Sequence, residues 1–360
     1  MNAVRYIGLG PDLRVTEASD MRQARRILSL TLALVSGWAL VAAAQDKPIE
    51  LRFSSWVATV HGHHTGVMVP WAKMIEEKSG GRLKITIYPG STLGKAVDHY
   101  DMVKDGIADL GFTVPGYTPG RFPLITALEL PLLFKSSRGG SLAVMSVFDK
   151  YFKSEFKDVK VLWFWVHPPG HFHLARKQVK VLEDLSGLKI RAATPMLTNM
   201  VKTLGAIPVS IPAPDTYTAL ERGTVDGTIF PWEAISSFKI AEVLKYHVAS
   251  GLYVAPLFTL MNQKKYDSLP PDLRKVIDDL SGAWGAEFTG KIWDQNELVG
   301  LEAIKKAGGI IYTLPPEERQ RWAARLRPME DEWLKSMEAK GLPGRQLLND
   351  LREAIKRYDP

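Results

Sequence analysis

Residues 83–114 read LKITIYPGSTLGKAVDHYDMVKDGIADLGFTV. Leu83 to Tyr88 is a β-branched, apolar-rich run stopped by Pro89-Gly90, which predicts a strand and a turn. Val97 to Asp105 follows as a helix closed by Gly106, and Ala108 to Val114 as a third short strand. Upstream, Leu51 to Trp56 alternates and reads as another strand. Gly66 to Lys78 carries Val69, Ala72, Met74 and Ile75 at helical spacing and ends at Gly80-Gly81. The β-α-β-α-β order predicts a parallel sheet with helices on its faces.

The pattern then restarts. Val159 to Val166 is a strongly apolar strand, broken by Pro168-Pro169-Gly170. Leu188 to Ala192, Ile207 to Ser210 and Val225 to Phe230 read as strands. Met196 to Leu204 and Asp215 to Arg222 read as the helices between them, the second capped by Gly223. Two α/β units in series imply two domains with a cleft between them. The last third is mostly helical. Pro270-Pro271 opens a helix whose apolar periodicity continues from Leu273 towards Ile304, to a stop at Gly308-Gly309. A run that long is expected to span both domains or to pack along their backs. Ile310 to Thr313 reads as a strand, and Pro315-Pro316-Glu317-Glu318 opens the next helix.

Composition excludes some classes. The 360 residues suggest two ordinary domains, and Lys+Arg 46 against Asp+Glu 39 leaves a net charge of +7 with the basic residues scattered. No Lys/Arg stripe with interleaved aromatics supports nucleic-acid binding. The chain has no cysteine, which removes disulfides, zinc-thiolate sites, thiol catalysis and a lipidated cysteine. At the N-terminus, Arg22, Arg25 and Arg26 precede the apolar run Ile27 to Ala44, and Ala42-Ala43-Ala44 offers a cleavage site before Gln45-Asp46-Lys47. This is the layout of a secretory signal peptide over residues 1–44, with an uncleaved membrane anchor as the alternative. Residues 1–20 precede the charged segment, so Met21 is an alternative start. The chain from Gln45 is expected to be exported to the periplasm and to cross no membrane.

Enzyme chemistry is hard to assemble. His61, His63 and His64 lack the spacing of a helical metal pair and read as an exposed or helix-capping loop. His171 and His173 sit at strand period two, which permits a shared metal, but no further ligand is evident. No GxSxG elbow occurs, and neither Gly62–Gly66 nor Gly116–Gly120 has the setting of a phosphate loop. Asp226 and Glu233 are separated carboxylates, and Asp226, in a Val-Asp-Gly turn, is expected to bond backbone amides. Binding is favoured over catalysis, with no cofactor and no metal.

Several segments together resemble a known family. GGRLKITIYPGSTLGK at 80–95, DGIADLGF at 105–112, ELPLLF at 129–134, EDLSGLKIRAATP at 183–195, YTALERGTVDG at 217–227 and GGIIYTLPPEE at 308–318 are similar, in order and spacing, to landmarks of the substrate-binding proteins of TRAP transporters, the dicarboxylate-binding (DctP) type. The resemblance implies a two-domain α/β periplasmic binding protein fold, with crossing hinge strands, a central cleft and a long helix spanning both domains. Placed on this chain, residues 45–168 with about 255–290 form one domain and 169–254 with about 291–360 the other. It also implies a small organic acid ligand and a two-subunit membrane permease as partner. The protein is expected to be a monomer.

The resemblance assigns one key residue. The arginine of its Gly-Leu-Lys-Ile-Arg motif pairs with the ligand carboxylate, and here that is Arg191; a guanidinium matches a carboxylate in two hydrogen bonds. The alternative for Arg191 is a structural acid partner. This chain departs from the family pattern at three places: His171 stands where many members have a second arginine, Phe230 where many have asparagine, and Trp56 where a polar residue is common. Sugar acids and doubly clamped diacids are therefore disfavoured. A cleft lined by Trp56, Phe230 and Trp232 favours an apolar or aromatic monocarboxylate, although tryptophans are also often core. By position alone, Thr113 to Tyr117 form a cleft wall, with Thr113 and Tyr117 as candidates, and Thr194 is placed to reach the same carboxylate. The alternatives are a metal-dependent periplasmic enzyme using His61, His63, His171 and His173, and the ligand-binding subunit of a sensory system.

Overall fold

A computed structural model describes residues 47–360. The signal-peptide expectation for residues 1–44 lies outside them. The strands are β1 Ile49–Ser54, β2 Leu83–Tyr88, β3 Leu110–Thr113, β4 Val159–Val166, β5 Gly170–Leu174, β6 Lys189–Ala192, β7 Ile207–Ser210, β8 Gly227–Phe230, β9 Tyr246–Tyr253, β10 Pro256–Asn262 and β11 Ile310–Thr313. They form two sheets, ordered β2-β1-β3-β10-β4 and β11-β9-β5-β8-β6-β7. In the first, β1 runs parallel to both β2 and β3, as the strand-helix-strand pattern requires. In the second, β6 is parallel to both β7 and β8.

Two strand pairs stitch the lobes together. β4 of the first sheet leads directly to β5 of the second, and β9 of the second leads to β10 of the first. The chain thus crosses twice, at residues 167–169 and 254–255. His167 ties the crossings: its N–H donates to the Ala255 carbonyl at 3.3 Å, and its Nε2 accepts from the Ala255 N–H at 2.9 Å. Sequence periodicity hinted at β5 through His171 and His173 but did not reveal β9 or β10. β10 begins with a proline yet sits mid-sheet; Pro256 is the strand's first residue, opposite Val166, where a missing donor is tolerated.

The long C-terminal helical run is two helices, Pro271–Asp279 and Gly282–Lys306, and not one from Leu273 to Ile304. The break falls where Gly282 adopts φ +59° and the Leu280 carbonyl accepts from Trp71 Nε1 at 2.9 Å. Gly282–Lys306 does span both lobes. A Cβ on Gly290 would lie 2.5 Å from Arg138 Cα in the first lobe, and one on Gly300 would lie 1.9 Å from the Trp232 carbonyl oxygen in the second. Small residues therefore let one helix rest against both halves.

The C-terminal helix Gly344–Tyr358 packs on the first lobe. Leu347, Leu348 and Leu351 share a core with Val144, Val147 and Phe148 of the helix Ser137–Tyr151. The Asp359 carboxylate accepts from the Lys135 N–H and the Ser136 hydroxyl, each at 2.6 Å. Residues 291–360 therefore do not all accompany the second lobe. The second lobe's core gathers Phe172, Ile190, Met200, Ile229 and Trp322. No helix among the described residues is long and apolar enough to cross a membrane.

Candidate functional site

A cavity lies between the lobes. The first lobe contributes Trp56, Val57, His61, His63, Phe112, Val114 and Tyr117, and the second Arg191, Ala193, Leu197, Phe230, Glu233 and Phe238. His167, Tyr253 and Ala255 of the crossings and Trp293 of the spanning helix also line it. Its volume is about 50 Å³. One water needs about 10–15 Å³, so the cavity has room for a compact ligand.

Arg191 stands on β6, flanked by β7 and β8, and is 1% exposed. Its Nε donates to the Ile211 carbonyl at 2.8 Å, and its Cζ lies 4.4 Å over the Phe230 ring. Nη2 has no partner, and no ion pair among the described residues includes Arg191. Burial lowers the guanidinium pKa from its ordinary value, with Tyr117, Tyr253 and Asp215 acting against that. No carboxylate among the described residues pairs directly with Arg191, although the Asp215 charge acts on it from farther off. A buried cation without a counter-ion is costly, and an arriving carboxylate would offset that cost.

The walls are aromatic. Trp56 donates its Nε1–H to the Phe112 carbonyl at 3.1 Å and lies parallel to Phe238 at a centroid distance of 6.5 Å. Phe230 stacks on Phe238 at 5.4 Å. Tyr117 crosses the cleft: its hydroxyl accepts from the Ala213 N–H at 2.9 Å.

Of the residues expected at the site, Arg191, Phe230, Trp56 and Tyr117 line the cavity, and four do not. Thr194 caps the helix Pro195–Thr203, accepting from the Leu197 N–H at 3.3 Å, and its hydroxyl donates to Glu129 Oε2 at 2.8 Å. Thr113 is buried, with its hydroxyl on the Ala96 carbonyl at 3.2 Å. His171 accepts from the Gly251 N–H at 2.9 Å and stacks on Trp232 at 4.2 Å, so these two satisfy each other away from the cavity. His173, on the same face of β5, bonds His247 Nδ1 at 2.8 Å. Asp226 accepts from the Lys189 N–H at 2.8 Å, an amide-bonding role.

His61 and His63 are not exposed, at 2% and 1%, and both line the cavity; the capping expectation holds for His61, whose Nδ1 accepts from the His63 N–H at the start of the helix. Burial brings the His61 pKa down to about 3 and holds His63 well below the ordinary value. Glu233 is buried beside them, accepts from the Ser237 hydroxyl, and is pushed up to about 7 by burial. Sequence reasoning did not bring these three together, nor Phe238, Tyr253 and Trp293. They come from distant segments that only packing unites, and no spacing rule marks them.

Two α/β lobes, joined by crossing strands and closed on an unneutralised guanidinium, define a solute-binding protein. The chain belongs to the DctP family, the bacterial extracellular solute-binding proteins of family 7, whose model matches residues 53–336. It is a TRAP-type solute-binding protein, of the extracytoplasmic class that binds small organic acids and works with membrane permease subunits. Among solved structures it is similar to a TRAP solute-binding protein from Rhodoferax ferrireducens T118 in complex with copurified benzoate, with 37% identity, TM-score 0.84, and coverage of 86% of this chain and 98% of that one. It is also similar to a marine metagenome TRAP solute-binding protein specific for aromatic acid ligands, in complex with 3-hydroxybenzoate, with 36% identity, TM-score 0.85, and coverage of 88% and 100%. Among curated relatives, the 2,3-diketo-L-gulonate-binding periplasmic protein YiaO of Escherichia coli K12 is 27% identical over 292 residues, 80% of this chain and 88% of that protein.

Proposed function

We propose that this protein captures an aromatic monocarboxylate in the periplasm for its permease, with Arg191 holding the carboxylate. The buried Nη2 of Arg191, unpartnered in a cavity walled by Trp56, Phe230 and Phe238, carries the proposal. A guanidinium offers parallel donors to a carboxylate, and the aromatic faces take up a flat apolar body. His171 is committed to Gly251 and Trp232, so it gives no second clamp for a diacid. Two similar structures, at 37% and 36% identity, hold benzoate and 3-hydroxybenzoate, which supports the same ligand class here.

On this reading the protein is a monomer delivered by a cleaved signal peptide, and it performs no catalysis. No group of three or more His, Cys, Asp or Glu side chains among the described residues is arranged to hold a metal ion. We assign residues 47–166, 256–279 and 328–358 to the first domain and 170–253 and 310–326 to the second, with Gly282–Lys306 bridging them. Calorimetric titration of benzoate into wild-type and Arg191→Ala protein tests the clamp. The variant is expected to lose about 2–5 kcal/mol of binding free energy. Equal affinity in the two proteins would remove Arg191 from the site.

A further inference from the structure

The cavity has a second polar end. From the Arg191 guanidinium, 4.4 Å over Phe230, the wall continues through Phe238 at 5.4 Å to the His61 ring, whose centroid is 4.9 Å from that of Phe238. Two aromatic rings therefore separate the guanidinium from the imidazole. His63 and Trp293 flank His61, with Trp293 at 5.9 Å from His63 and 6.3 Å from His61. Glu233 Oε1 lies 3.6 Å from His61 Nδ1.

The hydrogen bonds at this end fix the tautomers. His61 Nδ1 accepts from the His63 backbone N–H at 3.1 Å, and His63 Nδ1 accepts from Trp293 Nε1–H at 3.2 Å. A backbone amide and an indole can only donate, so each neutral ring carries its proton on Nε2. Neither Nε2 has a partner, nor has Glu233 Oε2, although all three atoms are buried. Unpartnered buried donors and acceptors each cost free energy that a correctly placed ligand atom recovers.

We infer that this end reads a hydrogen-bonding ring substituent, a hydroxyl foremost, carried by an aromatic acid on the side of its ring away from the carboxylate. The substituent oxygen accepts from His61 Nε2–H and His63 Nε2–H, and its own proton goes to Glu233 Oε2. A methyl group of similar size leaves the three atoms unpartnered, and a second carboxylate there faces the Glu233 carboxyl. The inference rests on the Arg191 clamp, which sets the direction of the ligand.

The test is titration calorimetry with benzoate, 3- and 4-hydroxybenzoate, and 3- and 4-methylbenzoate. The readout is the affinity ratio of hydroxy to methyl acid at the same ring position, taken within each protein. Wild type is expected to favour the better hydroxy isomer by roughly tenfold or more, the scale of one or two net hydrogen bonds. In His61→Phe and His63→Phe the ratio is expected to fall below about threefold. In His61→Gln, whose side-chain amide restores a donor near the Nε2 position, most of it is expected to return. Thermal melts identify folded variants, and His61→Gln serves where the phenylalanine variant does not fold. A wild-type ratio near one, or a ratio that survives in both phenylalanine variants, overturns the inference and leaves the carboxylate clamp standing as long as benzoate binds. Failure of every acid to bind overturns the clamp and this inference with it.

Discussion

Arg191 is held on a short buried strand by one hydrogen bond to Ile211 and by the Phe230 face, with Nη2 unpartnered. On the proposed reading, the unsaturated donor matters more than the charge alone. A lysine in its place would keep a cation but lose the planar fork, so Arg191→Lys is expected to bind benzoate with an affinity between those of wild type and Arg191→Ala, in the same titration. Arg191, Trp56, Phe230 and Tyr117 were legible in the sequence only through the family motif and the positions around it. Composition and periodicity carry no information on which arginine is buried without an acid. The burial of His61 and His63 is not legible in the sequence, because a run of histidines beside glycine looks like solvent-exposed loop. Their burial depends on Trp165, which stacks on His63 at 4.8 Å, and on Trp293, more than two hundred residues downstream. Thr194 stands in the telling motif, yet its hydroxyl serves a helix cap and Glu129.

At the scale of elements, the repeated strand-helix periodicity gave both parallel sheet halves, with Ile207–Ser210 and Val159–Val166 found to the residue. The helix Ser137–Tyr151 escaped because its first turn contains Gly139-Gly140, residues of low helix propensity that close packing demands. A Cβ on Gly139 would lie 2.4 Å from the Tyr358 carbonyl oxygen. The spanning helix shows the same logic, and it yields a prediction. In Gly300→Ala the new methyl would collide with the Trp232 backbone at 1.9 Å, where no flexible side chain can give way. Thermal or urea unfolding is expected to show a loss of at least about 2 kcal/mol, at the upper part of the range for overpacking. An unchanged stability would mean that the helix does not press on the second lobe as described.

At the scale of the whole molecule, the lobes are latched by polar bonds as well as by the shared core. The Ala213 N–H bonds the Tyr117 hydroxyl at 2.9 Å, the Gly62 N–H bonds the Ser237 hydroxyl at 3.2 Å, and the Thr194 hydroxyl bonds Glu129 at 2.8 Å. Glu129 is buried, and burial pushes its pKa up to about 8 from an ordinary 4.5. The closed fold therefore holds a proton that the unfolded chain releases, and the resulting stability is full below pH 4.5 and lost as pH rises through about 8. Glu155 and Glu233, each raised to about 7, act in the same direction, so the informative quantity is the difference between two proteins. The melting temperature of Glu129→Gln relative to wild type is expected to rise as pH goes from about 5 to about 8 and then level off, because the amide cannot ionise. A difference that stays flat across this range would show that Glu129 is ionised in the folded protein.

The ligand lies between two unlike ends, and a crystal structure of the protein with benzoate measures its orientation directly. The carboxylate oxygens are expected within hydrogen-bond distance of the Arg191 Nη atoms, with the ring between Trp56 and Phe230. A carboxylate seated instead on His61 and His63, with Arg191 still unpartnered, would contradict it.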